Sequence, residues 1–198
     1  MMSKVARHYD LLIENGNDPV LDDETLSCYM DKWDGQTFID LLALNKSKSV
    51  LEIGCGTGRI AKKLSTHPIV YTGVDISPKT IEMAKKHFVD CPNFTFICTD
   101  FSSYCFKQKY DIVFSTLTFM HIKNKSKAIK KVFSLLNLNG KFVLSIDKER
   151  KDFIDTGFSK IKVFPDNPNL IYAIMKKIGF CNISIIETDL AYIITGSK

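Results

Sequence analysis

A short apolar strand that runs directly into three closely spaced glycines constrains the fold of this chain more than any other feature. The segment Val50-Leu-Glu-Ile-Gly-Cys-Gly-Thr-Gly-Arg59 predicts a buried strand, a turn and the start of a helix. Glycine accepts positive φ angles and lets a ligand touch the backbone, and the free N–H groups of a first helical turn favour an anionic group. Asp75 ends the next apolar run, 21 residues beyond Gly54, about where an acidic side chain would bind ribose hydroxyls.

Short apolar runs alternate with amphipathic segments from residue 48 onward. The predicted strands are 49–53, 69–74, 93–98, 110–115 and 141–146, and a helix before the last of them is predicted to stop near Gly140. Such alternation gives parallel strands with right-handed crossovers. The closing runs, 183–187 and 191–195, are joined too briefly for a crossover and should pair as an antiparallel hairpin. We therefore predict an α/β fold with a Rossmann-like, doubly wound, seven-stranded sheet and an antiparallel C-terminal hairpin.

The first 45 residues have helical periodicity instead. Leu26, Tyr29, Met30 and Trp33 recur at i, i+3, i+4 and i+7, which predicts two or three helices ahead of the first strand. A length of 198 residues suits one domain. We expect a single domain over 1–198, made of an N-terminal helical cap, 1–45, and a sheet, 46–198.

The charge and cysteine content narrow the class of protein. The net charge is +5, but all except three of the 27 basic residues are Lys, whereas recognition of bases and phosphates favours Arg. We expect the lysines of 123–131 to form a solvated helix face and nucleic-acid binding to be unlikely. The six cysteines lack zinc-site spacing, so we predict no metal site and reduced, buried thiols. Without a membrane-length apolar run or an apolar N-terminal leader, a cytoplasmic location is the expectation.

Two families of nucleotide-binding folds compete for the glycine turn. A dinucleotide fold requires Gly-x-Gly-x-x-Gly, which would place the third glycine at position 59, where this chain has Arg59. The spacing found is Gly-x-Gly-x-Gly after Glu52, and it resembles the first motif of the class I S-adenosylmethionine-dependent methyltransferase family. The resemblance runs from about residue 48 to the C-terminus and includes the closing hairpin. As a whole the chain is similar to small stand-alone bacterial methyltransferases such as those of quinone biosynthesis.

This resemblance implies S-adenosylmethionine as the cofactor and a role for each residue of the turn. Gly54, Gly56 and Gly58, with Cys55 between them, would approach the methionine and ribose parts of the cofactor through the backbone. The amino-acid carboxylate would lie near the helix N-terminus. Glu52 would face the amino group or a bound water.

The nucleoside part of the cofactor would be bound by the ends of the next strands. In the family's pattern Asp75 would accept from both ribose hydroxyls and Ile76 would pack on the adenine face. Asp100 would accept from the adenine amino group with Phe101 beside the ring. Ser115 would lie near the methionine chain.

The side of the site that faces the methyl acceptor is less constrained by the sequence. Thr116 and Leu117 would open toward the substrate, and His121 is a candidate general base, with helix capping or loop support as the alternative. Tyr9, in the opening His-Tyr-Asp of the cap, would bond the cofactor carboxylate or face the substrate. Trp33 and Tyr29 would either line the pocket, where aromatic faces suit a sulfonium, or belong to the core.

The leading hypothesis is an enzyme that transfers a methyl group from S-adenosylmethionine to a small molecule by in-line displacement. The alternatives are an RNA methyltransferase and a non-catalytic module that binds the same cofactor, because a fold does not fix a function. A nicotinamide oxidoreductase is a more distant alternative.

Overall fold

The computed structural model describes residues 3–44 and 48–198, so the predicted boundary between cap and sheet at residues 45 and 46 lies outside the described residues. The helices are α1 Lys4–Glu14, α2 Glu24–Asp34, α3 Gln36–Leu42, α4 Arg59–Leu64, α5 Pro78–His87, α6 Lys125–Leu135 and α7 Pro168–Ile178, with a 3₁₀ turn at Phe119–His121. The strands are β1 Ser49–Ile53, β2 Val70–Asp75, β3 Phe94–Cys98, β4 Tyr110–Thr116, β5 Leu136–Asp147, β6 Phe153–Asp155, β7 Lys160–Lys162, β8 Cys181–Glu187 and β9 Ala191–Ser197.

Seven strands form one sheet in the order β3-β2-β1-β4-β5-β9-β8. The first five pair in parallel, while β9 runs antiparallel to both β5 and β8. The predicted Rossmann-like sheet with its C-terminal hairpin is confirmed. The strand order reverses between β1 and β4, which is where such sheets leave a crevice at their carboxyl ends.

The central strands are mostly apolar and buried because helices cover both faces of the sheet. Leu51 and Ile53 of β1 pack in a cluster that contains residues of α6 and α7. Val50 packs on the opposite face with residues of α3, α4 and α5. Glu52 is a charged exception in β1, being 2% exposed. An acidic group so deep in a strand needs a specific reason to be there.

The cap is joined to the sheet through the start of α5. Ser77 caps this helix by accepting from Thr80 N at 3.2 Å, and Pro78 is the first helical residue. Asp10 of α1 accepts from Ser77 Oγ at 2.7 Å and from Lys79 N at 3.1 Å. This buried carboxylate therefore fixes α1 against the element that follows β2.

The segment around α6 differs from the prediction. The helix ends at Leu135, not near Gly140, because β5 begins at Leu136 and pairs with β4 through a register shift. Lys125 was expected on a solvated face but is buried, with Nζ 2.8 Å from Asp166 Oδ1 and 2.9 Å from the Phe164 oxygen. That side chain ties α6 to the segment before α7.

Two further observations correct the sequence-based expectations. The short antiparallel pair of β6 and β7 was not predicted; its strands of three residues are too short for a period-two pattern to show. Of the six cysteines only Cys55 is buried, and Cys28, Cys98, Cys105 and Cys181 are exposed. In the part of the chain that the structure describes, no helix is long and apolar enough to cross a bilayer.

Candidate active site

A cavity of about 630 Å³ lies at the carboxyl ends of β1, β2, β3 and β4 and is partly covered by α1. Most of the residues assigned to the site from sequence line it: Tyr9, Glu52, Gly54, Cys55, Gly56, Asp75, Ile76, Asp100, Phe101 and His121. Gly58 and Ser115 do not. The topology has thus brought together side chains from five separate stretches of sequence at the sheet's switch point.

The three glycines of the turn all have positive φ, but their surroundings differ. A Cβ at Gly54 would lie 2.1 Å from Thr118 Oγ1, and one at Gly58 would lie 2.5 Å from the Phe88 ring. A Cβ at Gly56 would meet no atom within 4 Å from the residues that the structure describes. Gly54 and Gly58 are therefore required by the protein's own packing, while Gly56 leaves a bare stretch of backbone at the cavity.

Asp75 holds this turn in place as well as lining the cavity. Its Oδ2 accepts from Gly56 N at 3.0 Å, and Oδ1 accepts from Ser77 N at 2.9 Å and Thr80 Oγ1 at 3.3 Å. Burial raises the pKa of the carboxyl above its usual value, and the three donors oppose that rise. One carboxylate thereby links the glycine turn of β1 to the start of α5.

Glu52 is the most strongly perturbed carboxyl of the site. Burial raises its pKa to about 8, against the hydrogen bond that Tyr71 Oη donates to Oε2. Thr57 of the glycine turn is 2% exposed, lines the same cavity, and has a hydroxyl with no partner among the described residues. Sequence reasoning missed Thr57, although a threonine between two turn glycines was a visible signal.

Tyr9 and His121 form a hydrogen-bonded pair at the cavity, with 2.8 Å between Tyr9 Oη and His121 Nε2. Burial lowers the pKa of His121 to about 4 and raises that of Tyr9. The imidazole is therefore neutral near pH 7, and in the tautomer in which Nε2 accepts, the phenol is the donor. The partners lie 112 residues apart in sequence, so the sequence could name each but not the pair.

A second cavity of about 330 Å³ adjoins the first, and both are lined by Tyr9, Met30 and Leu117. Leu117 has a φ of 48°, a left-handed conformation that is costly for a branched side chain and is concentrated at functional sites. Trp33 lines this second cavity, whereas Tyr29 lies on the surface at 49% exposure. The Tyr9 phenol thus stands where the two spaces meet.

Two polar side chains near the turn are bound within the protein, and for Ser115 this differs from the position beside the methionine chain that the resemblance implies. Ser115 is fully buried and donates from Oγ to the Ile53 oxygen at 2.7 Å, so its hydroxyl joins β4 to β1 and does not face the cavity. Arg59, which replaces the third glycine of a dinucleotide motif, makes a double ion pair with the buried Asp34, at 2.7 and 2.5 Å. That pair connects α4 to α2 beside the cavity.

Comparison with known proteins agrees with this geometry. Residues 51–144, just under half of the chain, match the family described as a methyltransferase domain. The malonyl-[acyl-carrier protein] O-methyltransferase 1 of Ilyobacter polytropus is 38% identical over 104 residues, which are 50% of this chain and 38% of that protein. The ubiquinone biosynthesis O-methyltransferase of Coxiella burnetii is 31% identical over 114 residues, 56% of this chain and 49% of that protein. The match therefore spans less than half the length of these curated relatives.

A solved structure extends the likeness to the whole fold. The N-methyltransferase NodS from Bradyrhizobium japonicum WM9, in complex with S-adenosyl-L-homocysteine, has a TM-score of 0.74 at 15% identity over 99% of both chains. At that identity the likeness concerns the fold alone. Residues 51–144 thus match a methyltransferase-domain family, and the order of the seven strands and the glycine turn resemble those of class I S-adenosylmethionine-dependent methyltransferases.

Proposed function

We propose that this protein is a methyltransferase that uses S-adenosylmethionine as its cofactor and a small molecule as its acceptor. The observation that carries the proposal is the convergence, on one cavity, of the bare Gly56 backbone and the carboxylates of Glu52 and Asp75. A backbone without side chains suits close approach by a ligand, and two carboxylates suit its ammonium and hydroxyl groups. The names of the two curated relatives support a small or carrier-bound acceptor.

The residues of the cavity fit the parts of this cofactor. Glu52 would accept from the α-ammonium group, the Thr57 hydroxyl and the start of α4 would donate to the α-carboxylate, and Asp75 would accept from the ribose hydroxyls. Ile76, Phe101 and Asp100 would surround the adenine. When bound, the cofactor supplies a methyl group that its sulfonium already activates. The chain must then hold the acceptor in line and about 3 to 3.5 Å from that carbon.

The Tyr9–His121 pair can take the proton that an acceptor loses. As the acceptor's X–H bond breaks, its proton would pass to Tyr9 Oη while the phenol proton passes to His121 Nε2. His121 is neutral, and in the tautomer with its proton on Nδ1 the Nε2 lone pair can receive that proton. Because Tyr9 borders both cavities, we place the acceptor in the second cavity and the methyl group at the junction.

The test is transfer of labelled methyl from S-adenosylmethionine to a small-molecule extract. We expect label in a low-molecular-weight product together with an equal amount of S-adenosylhomocysteine. Label that appears only in RNA would favour the RNA methyltransferase. Cofactor binding without label in any fraction would favour the non-catalytic module.

A further inference from the structure

Glu52 and Tyr71 are connected by a side-chain route that Gly73 makes possible. Tyr71 and Gly73 lie two residues apart on β2, and Glu52 of β1 is the register partner of Gly73. A Cβ at Gly73 would lie 2.8 Å from Tyr71 Oη. The phenol therefore passes over the bare Cα of Gly73 to reach the neighbouring strand, where it donates to Glu52 Oε2.

The two oxygens of Glu52 have different environments. Among residues 3–44 and 48–198, Oε2 receives the Tyr71 hydrogen bond and Oε1 receives none, although the side chain lines the cavity. The other charged groups that act on it are Arg59 from α4, Asp34 from α2 and Asp75 from β2. Arg59 is bound to Asp34 by two hydrogen bonds, so within the described part of the chain the Glu52 carboxylate has no cation paired with it. A buried carboxylate with a free oxygen at a cavity calls for a cationic ligand group.

We infer that Tyr71 is a positioning residue for cofactor binding: by holding Glu52 Oε2 it presents Oε1 to the α-ammonium group of the cofactor. The inference rests on the proposed function, since it assigns this cavity to S-adenosylmethionine. Tyr71 is fully buried and stacks on Phe94 with ring centroids 4.7 Å apart, so it acts through Glu52 and not by touching the ligand.

The experiment compares Tyr71→Phe with the wild type for two ligands, S-adenosylhomocysteine and its analogue in which hydrogen replaces the α-amino group. Phenylalanine keeps the stacked ring and removes only the hydroxyl. We expect Tyr71→Phe to weaken binding of S-adenosylhomocysteine about tenfold, as loss of a hydrogen bond to a charged group does, and to change binding of the deamino analogue less than about twofold. Equal weakening of both ligands, or of neither, would overturn the inference.

Tyr110→Phe is the matched control, because Tyr110 is a buried tyrosine of β4 with no side-chain hydrogen bond among the described residues. It should bind both ligands as the wild type does. If the wild type binds neither ligand, the proposed function itself is overturned. If the wild type binds and Tyr71→Phe has the same affinities as the wild type, only the role of Tyr71 is overturned.

The pH dependence of affinity for S-adenosylhomocysteine is an independent measurement. It would stay the same in Tyr71→Phe if Tyr71 only stabilised the fold. Glu52 must be ionised to hold the ammonium group, so affinity for S-adenosylhomocysteine should rise with pH toward the pKa of about 8. Removing the Tyr71 donor disfavours the carboxylate, so the rising limb should move to higher pH in Tyr71→Phe and disappear in Glu52→Gln. An unchanged midpoint in Tyr71→Phe would contradict the assignment.

Discussion

Gly54, Gly56 and Gly58 are evenly spaced glycines, but they have different structural roles. The first makes room for Thr118 and the third for Phe88, whereas Gly56 opens onto the cavity. The sequence could predict that all three need positive φ or close approach, but not which neighbour approaches each one. That depends on residues 30 or more positions away, which only the folded chain brings near.

Alanine at Gly54 should therefore mainly lower stability, whereas alanine at Gly56 should mainly lower affinity for the cofactor. At Gly54 the new Cβ meets Thr118, so we expect a loss of about 1 to 3 kcal/mol in the free energy of unfolding from overpacking, besides backbone strain. At Gly56 we expect strain alone, about 1 to 2 kcal/mol, but a large loss of cofactor affinity. Denaturant unfolding and calorimetric titration with S-adenosylhomocysteine measure the two quantities. Normal affinity in Gly56→Ala would show that the ligand does not approach this backbone.

Asp75 combines a structural and a binding role in one carboxylate. We expect Asp75→Ala to lose roughly 1 to 3 kcal/mol of binding free energy for S-adenosylhomocysteine, because ribose hydroxyls are left unpaired in a partly buried site. The exposed Asp90 of the loop after α5 gives a control, and Asp90→Ala should bind normally. Unchanged affinity in Asp75→Ala would show that Asp75 does not bind the ribose.

Among the elements, the 3₁₀ turn that carries His121 shows most clearly what sequence reasoning could not supply. Its position depends on Lys125, which donates to the Phe119 oxygen, and on Phe164 N, which donates to the Met120 oxygen at 2.7 Å. A run of lysines on a helix predicts a solvated face, because most charge runs are solvated. Only the tertiary contact with Asp166, 41 residues on, explains the burial of Lys125.

Tyr9→Phe should lower kcat and leave affinity for the cofactor nearly unchanged, because the phenol is proposed to move a proton and not to hold the ligand. General acid–base groups contribute about 10²- to 10⁴-fold, and His121→Gln should fall in the same range. With the pKa of His121 near 4, this histidine stays neutral from pH 6 to 8 and should impose no titration on kcat there; activity that depends on it falls only as pH drops toward 4. A Tyr9→Phe variant with full kcat would exclude the relay.

The Arg59–Asp34 pair joins the cap to the helix that begins at the glycine turn. Asp34 is fully buried, so Asp34→Ala leaves the Arg59 guanidinium without its ion-pair partner. We expect a loss of about 3 to 5 kcal/mol in the free energy of unfolding. Asp31, which is on α2 like Asp34, pairs with Lys63 of α4 but is solvent-accessible, and Asp31→Ala should cost under about 1 kcal/mol. Equal losses in denaturant unfolding of the two variants would contradict this account of the cap.

At the scale of the whole molecule, the alternation of strands and helices was enough to predict the sheet, its crevice and its closing hairpin, because periodicity and handedness leave few topologies. The predicted lining residues at the ends of β1 to β4 follow from that topology. The lining by Tyr9, its pairing with His121 and the second cavity depend on how α1 lies over the crevice, and no local pattern encodes that placement.

The central claim is that the cavity at the switch point binds S-adenosylmethionine. The most direct measurement is calorimetric titration of the unmodified protein with S-adenosylhomocysteine, with NAD as the competing dinucleotide ligand. We expect saturable binding of about one S-adenosylhomocysteine per chain and none of NAD, with a rise in Tm because the ligand binds the folded state specifically. Absence of S-adenosylhomocysteine binding, or preference for NAD, would contradict it.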